Sequence, residues 1–436
     1  MNIYIIVEVK VRDFLPRLLT GAEAALNGND VYLGDKEITG YILQNKLNPG
    51  IIYLKSITPY KKKIVQLKLF KKKNFIVTSL DEEGGITWPN FNYFANIRYS
   101  NKTLSYTDAI FCYGDYDFKN YIKIFPKFKK KFLLTGNPRF DLLNNKIANN
   151  LENEKKKDFK KKKIVLISTF FFIAFKMHSS EYLSIEDEFK DDYSYDTFEK
   201  KNAFSIRYLK LIKKIINNFP DIEIELWTHP MDSIDNWKKV LPKNKNIKFV
   251  KGFKVLSKKN PDNRIFIHNG STVALSAILQ GKIVISYQPI VSKWNNISPN
   301  VNSIVMKSDD EIINFIKNKK FYKIRPNKKK LSNCYKIISN SKSYDASFKV
   351  ASHWEKFKSE KLSIKNNLSV IKFRHKLKFI KQKLSSKIYN IKFEGITKNE
   401  LSKLKDILCI ANPNFKQLKF SLIGPRLVNI KKKDYN

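Results

Sequence analysis

Three polar clusters in this chain combine residue types that handle phosphates and hydroxyl protons, and each follows a short apolar run. The first lies in RIFIHNGSTVALSAILQGKIVISY, residues 264–287, where Gly270 permits a tight turn and Ser271 and Thr272 stand at the start of an apolar helix. Hydroxyls and first-turn amides at a helix start suit a diphosphate or a nucleotide monophosphate, and His268 and Asn269 lead into the turn. A plain helix cap accounts for the same Ser-Thr pair. The second cluster is Asp81-Glu82-Glu83-Gly84-Gly85. Three adjacent carboxylates repel one another, so partial burial raises the pKa of one toward the range of a general base, and the glycines allow a substrate close to the backbone. A solvated acidic loop explains the same residues without chemistry. The third is His229-Pro230, in which proline fixes the exit of a strand and the imidazole can donate to a phosphate or steady a leaving group. His268, at a strand end, also suits a hydrogen bond to a neighbouring loop.

An alternating strand and helix pattern must position these clusters. Apolar runs at residues 3–7, 31–33, 50–54, 75–78, 109–112 and 132–135 read as buried strands, with an amphipathic helix over 14–27 closed by Gly28. A Lys- and Asn-rich segment, 144–163, breaks the pattern, and a strand over 164–169 restarts it. Then follow a helix over 204–218, strands at 222–227, 247–250 and 265–268, a helix over 272–279 and a strand at 283–287. Short apolar strands separated by helices imply parallel sheets wrapped by helices. The expectation is an α/β protein with two doubly wound domains facing across a cleft: 1–150 on the acceptor side, 151–345 for a nucleotide sugar, and a crossover helix with a basic, helical extension over 346–436. Ligands of such sheets sit at the carboxyl ends of the strands, where all three clusters fall.

Composition bounds the partners. The chain has 436 residues, 42% of them hydrophobic, which is enough for two cores and an extension. Its formal net charge of +43 favours anionic surfaces, yet lysine is dense everywhere, as in Lys61–Lys63 and Lys160–Lys163, which suggests a general compositional bias. No zinc-finger spacing, aromatic RNA-binding motif or Gly-Arg repeat accompanies the charge, which argues against nucleic acid as the partner. Cys112, Cys334 and Cys409 are scattered without metal or disulfide spacing. With no long apolar run and no signal-peptide pattern at the start, the expected location is the cytoplasm, with peripheral attachment to the inner face of the plasma membrane as an option.

The order of motifs DEEGG, GNPRFD, ISTFF, WTHP and IHNGSTVALSAILQGKIVISY resembles the family of bacterial surface carbohydrate biosynthesis proteins, which are similar to GT-B glycosyltransferases, over roughly residues 1–317. Bacterial sialyltransferases and capsule Kdo transferases of GT-B type carry similar acidic-Gly, His-Pro and Ser/Thr motifs. The resemblance implies that Glu82 deprotonates an acceptor hydroxyl, with Asp81 and Glu83 as alternatives. It implies that His229 and Pro230 hold a CMP-sugar whose phosphate meets Ser271 and Thr272. Gly136, Asn137 and Arg139 resemble a pattern shared with sugar epimerases and polyol-phosphate transferases, where the role is donor, acceptor or structural. One phosphate as leaving group makes neither metal nor other cofactor compulsory, and Asp115-Tyr116-Asp117 reads as a solvated turn. Lys10, Arg12 and Arg139 suit a sugar carboxylate, and Glu8 and Arg12 suit the acceptor side, although surface ion pairs also explain them.

The expected activity is transfer of a CMP-activated ulosonic acid to a glycan or lipid-linked glycan. The alternatives are a nucleotide-sugar 2-epimerase, a polyol-phosphate transferase, and a non-catalytic glycan- or membrane-binding assembly partner. Within the tail, VIKFRHKLKFIKQKL has apolar residues at helical spacing among lysines, a pattern that fits either an anionic membrane surface or a helix packed on the protein.

Overall fold

A computed structural model of the chain describes residues 1–151, 163–168, 192–230, 232–252, 254–255, 264–318, 327–358, 364, 366, 368–385 and 392–433. The end of the ISTFF motif, 169–171, and most of the expected linker, 152–162, lie outside them. The strands are β1 (Asn2–Ile6), β2 (Asp30–Gly34), β3 (Gly50–Leu54), β4 (Ile76–Leu80), β5 (Ala109–Cys112), β6 (Phe132–Leu134), β7 (Lys163–Ile167), β8 (Glu223–Thr228), β9 (Ile247–Lys251), β10 (Arg264–His268), β11 (Ile283–Tyr287), β12 (Ile304–Met306), β13 (Leu418–Gly424) and β14 (Leu427–Lys432). The helices that bear on function are α1 (Lys10–Leu26), α2 (Lys61–Lys72), α3 (Phe91–Arg98), α4 (Asp115–Ile124), α5 (Asp192–Asn218), α6 (Thr272–Leu279), α7 (Ala346–Glu355) and α8 (Leu368–Ser385). They divide between two compact units, Met1–Leu151 with Tyr335–Asn436, and Glu152–Cys334.

In the first unit the sheet order is β13-β14-β2-β1-β3-β4-β5-β6, with β1 to β6 parallel. Apolar runs such as NIYII and GIIYL are buried along their whole length, as a sheet covered on both faces requires. The order 2-1-3-4-5 reverses between β1 and β3, which makes their carboxyl ends the topological switch point. The chain returns to this unit through α7, whose Ser347 hydroxyl meets Thr20 of α1 at 3.3 Å and whose Trp354 indole donates to Thr78 Oγ1 at 3.2 Å.

The expected basic helical extension is only partly helical. Helix α8 is present, but β13 and β14 form a hairpin that pairs antiparallel with β2 and lengthens the first sheet. Gly34 makes that junction possible, because a Cβ there would lie 2.6 Å from the Arg426 carbonyl oxygen. His375 is equally part of the fold. It is buried 3.9 Å from Asp35, which also faces the fully buried Arg426 at 3.7 Å, and so helps hold α8 to the hairpin.

The second unit is an all-parallel sheet in the order β12-β11-β10-β7-β8-β9, the doubly wound order that binds dinucleotides, with its switch point between β7 and β10. Helix α5 packs Tyr208, Leu211, Ile212 and Ile215 with Ile164, Leu226 and Ile267 of the sheet, each such side chain contributing about 1.5–3 kcal/mol by burial. The sequence reading missed β12 because three residues, Ile304–Met306, give too short a run to count.

Candidate functional site

The Ser-Thr loop of the second unit follows β10, at the switch point. Gly270 adopts φ +75°, and its N–H donates to Asn300 Oδ1 at 2.8 Å. Asn300, fully buried, also accepts from Ser286 Oγ at 2.9 Å and donates to the Trp294 carbonyl at 2.8 Å. The Asn269 amide donates to the Tyr287 carbonyl at 2.7 Å. Ser271 caps α6 by accepting from the Val273 N–H at 3.3 Å.

His268, expected to touch the donor, is buried and consumed by this scaffold. Its Nε2 pairs with Ser303 Oγ at 2.9 Å, and its Nδ1 accepts from the Ser271 N–H at 3.4 Å. Since Ser303 donates onward to the Pro299 carbonyl at 2.7 Å, the proton belongs on Nε2. Burial pushes the imidazole down to about 3, so it stays neutral and positions the loop rather than a ligand. The first-turn amides expected to face a ligand are therefore mostly spent. The Thr272 N–H and hydroxyl are without a partner among the described residues, and the Ser271 hydroxyl retains its proton to donate.

His229-Pro230 lies directly after β8. Asp232, which the sequence reading passed over, shapes this turn by accepting from the His229 N–H at 3.1 Å, Ser168 Oγ at 2.8 Å and Trp237 Nε1 at 3.1 Å. Ser168 is the residue just past β7, so Asp232 ties the His-Pro turn to the same switch point. The His229 side chain is half-buried.

In the first unit the acidic loop follows β4, one strand from the switch point. Its carboxylates are separated by arginines rather than left to repel one another. Arg98 of α3 grips buried Asp81 through two bonds of 2.6 and 2.7 Å, and Arg17 of α1 binds Glu82 at 2.7 Å while stacking on the Tyr53 ring at 4.5 Å. Burial raises the Asp81 carboxyl above its ordinary value despite the opposing pull of Arg98. Glu82, the expected base, is thus occupied, and Glu83 is the exposed carboxylate of the three, without a direct ion pair among the described residues.

The two glycines serve the fold rather than substrate approach. A Cβ on Gly84 or Gly85 would fall 2.8 or 2.6 Å from the Tyr113 ring, and Gly85 has φ +80°. Their loop is also tied to Asp117, whose Oδ2 accepts from the Gly85 N–H at 3.2 Å. Asp117 is therefore no solvated turn residue: it is buried at the start of α4, its Oδ1 has no hydrogen bond among the described residues, and burial pushes its carboxyl up to about 7. Nearby, Lys63 is pushed down to about 8 by burial and the adjacent Lys55.

The remaining candidates are mostly bound up within the first unit. Glu8, at the carboxyl end of β1, pairs with Lys55 and, at 2.8 Å, with Lys392. Arg12 binds Asp13 at 2.5 and 3.1 Å, and Lys10 binds Glu400 at 2.8 Å. Asn137 is buried, exchanging backbone bonds with the Asn340 side chain at 3.1 and 3.0 Å, and Gly136 at φ +85° leaves room for that same asparagine. In the same GNPRFD motif Asp141 accepts from Asn340 at 2.6 Å and from the Ala346 and Ser347 amides at 3.0 and 2.7 Å, capping α7 from about two hundred residues away. The Asn137 side chain accepts from the Arg139 N–H at 2.8 Å while its buried Nδ2 has no hydrogen bond among the described residues, and Arg139 lies largely buried with its guanidinium over Phe140 at 5.1 Å.

No family model matches the sequence, and no curated protein is significantly similar to it. Solved structures are similar in fold. The wall teichoic acid polymerase TagF aligns in two variant structures at TM-scores of 0.52 and 0.51, with 12% and 14% identity, covering 82% of this chain and 89% and 88% of the other. The UDP-GlcNAc 2-epimerase of Neisseria meningitidis, bound to UDP-GlcNAc, aligns at 0.47 with 12% identity over 82% of this chain and all of its own. The two sheets, parallel apart from the terminal hairpin, their strand orders and the polymerase likeness define a GT-B-like α/β fold of two Rossmann-type units.

Proposed function

We propose that this protein is an enzyme of bacterial surface polysaccharide assembly, a glycosyltransferase that moves a CMP-activated ulosonic acid to a glycan acceptor. The observation that carries the reading is the Asn269–Thr272 loop: at the switch point of a dinucleotide-type sheet it is braced by neutral groups and offers one amide and two hydroxyls to an anion. That set matches a single phosphate. In the proposed reaction an acceptor hydroxyl loses its proton to a base, for which Glu83 is the candidate within the first unit taken by itself, its oxygen bonds to the anomeric carbon, and the bond from that carbon to the CMP oxygen breaks. His229, Ser271 and Thr272 bear the charge left on the phosphate.

The likeness to a wall teichoic acid polymerase favours a second reading, transfer of a polyol phosphate from a cytidine diphosphate donor. Thermal-shift titration with CMP, CDP, UDP and GDP separates the two. Under the first reading CMP raises the melting temperature and Thr272→Val or Ser271→Ala removes the effect. A larger shift with CDP selects the second, a UDP preference points to hexose chemistry, and no shift with any nucleotide overturns both.

A further inference from the structure

Helix α8 has two faces, of which the fold uses one. Ile371 and His375 are buried, and Phe379 lies under the Arg426 guanidinium at 4.7 Å, so this face packs against the β13–β14 hairpin. The opposite face carries Phe373, Leu377 and Ile380, exposed by 65%, 52% and 48%, at the i, i+4, i+7 spacing that forms one stripe. Flanking the stripe, Lys372, Arg374 and Lys376 are exposed and have no carboxylate partner among the described residues. The helix sequence LSVIKFRHKLKFIKQKLS contains six basic residues and no acidic one.

The positive surface continues beyond the helix. Lys46 lies close enough to Arg374 and Lys378 to feel their charge, and Lys73, just past α2, bonds the neighbouring Asn45. Helix α2 repeats the pattern, with Val65 and Leu69 exposed by 51% and 36% among exposed Lys61, Lys62, Lys68 and Lys72. Among the described residues no helix is long and apolar enough to cross a membrane.

We propose that the outer face of α8 docks on an anionic lipid bilayer, Phe373, Leu377 and Ile380 entering the interface while Lys372, Arg374 and Lys376 meet lipid phosphates. Charge complementarity selects this occupant. A bilayer surface presents an anionic layer directly above an apolar one, matching a stripe of three large apolar groups bordered by unpaired cations. A polyanion such as nucleic acid would satisfy the cations and leave the aliphatic stripe in water.

The test is flotation of the full chain with vesicles of phosphatidylcholine alone or with 30% phosphatidylglycerol, in low and high salt. The wild type should bind the anionic vesicles, bind neutral ones far more weakly, and lose binding as salt screens the charges. Phe373→Ser with Leu377→Ser should weaken binding at least tenfold, and Lys372→Gln with Arg374→Gln and Lys376→Gln on the order of a hundredfold. Both variants should melt like the wild type, because the substituted side chains are exposed. Ile206→Ser, at an exposed apolar residue of the other unit, should leave binding unchanged. The proposal is overturned if the wild type ignores anionic vesicles, or if the α8 variants bind as well as the wild type through general charge. It is equally overturned if the apolar double variant changes the oligomeric state, or if it abolishes oligonucleotide binding while sparing vesicles.

Discussion

The two loops that stand at strand ends near the switch points are built on opposite principles. In the first unit, Asp81 and Glu82 are fixed by full charges, Arg98 and Arg17, brought from two different helices. In the second, Asn269, Gly270 and Ser271 are fixed by neutral groups: a carbonyl, an asparagine and an uncharged histidine. The difference matters for chemistry. An ion-paired loop holds carboxylates at set positions beside one that is left exposed, which suits proton transfer, whereas a neutral scaffold adds no charge of its own to compete with an incoming anion.

The strongest test of this contrast is kinetic. Glu83→Gln should lower kcat by 10²–10⁴-fold while leaving the nucleotide-induced thermal shift intact. Glu82→Gln, which leaves buried Arg17 without its counter-ion, should instead lower the melting temperature; equal kcat losses with unchanged melting would break the assignment. Removing the neutral scaffold should have the converse result. Asn300→Ala leaves the Gly270 amide unpaired, so about 2 kcal/mol of stability should go along with the nucleotide shift.

The pH dependence of stability should carry both signatures with opposite sign. Asp117, raised to about 7 in the fold, binds its proton more tightly there than in the unfolded chain. Its contribution is complete below about pH 4 and is lost as pH rises to about 7. His268, depressed to about 3, does the reverse: its contribution is complete above roughly pH 6.5 and is lost as pH falls toward 3. Melting curves from pH 4 to 8 should therefore show Asp117→Asn gaining on the wild type as pH rises, and His268→Gln losing ground over the same range. The smallest effect is expected at the cap itself, where Ser271→Ala should cost about 1 kcal/mol in melting experiments without ligand.

Much of the architecture was legible along the chain. The runs 50–54, 109–112 and 283–287 coincide with β3, β5 and β11, and 272–279 with α6, because short buried strands and a capped apolar helix are written in local pattern. The terminal hairpin escaped because its lysines at 419, 431 and 432 interrupt the apolar run. In the candidate site, the positions of the Asp-Glu-Glu, His-Pro and Ser-Thr clusters at strand ends were readable. The roles within them were not. Glycines 84 and 85 read as space for a substrate until Tyr113 is seen to fill it, and Asp117 read as solvated until it is seen buried against the Gly84–Gly85 loop.

By itself, then, the sequence determined which segments become strands and helices and where polar clusters leave the sheets, since periodicity, glycine freedom and capping act over a few residues. The tertiary structure alone decided which acid is paired and which is open, that His268 is neutral and internal, and that Asp141 holds α7 in place. Those outcomes depend on partners 17 to more than 200 residues away. Only the packed chain brings them within hydrogen-bonding distance and strips away the water that would otherwise set each charge.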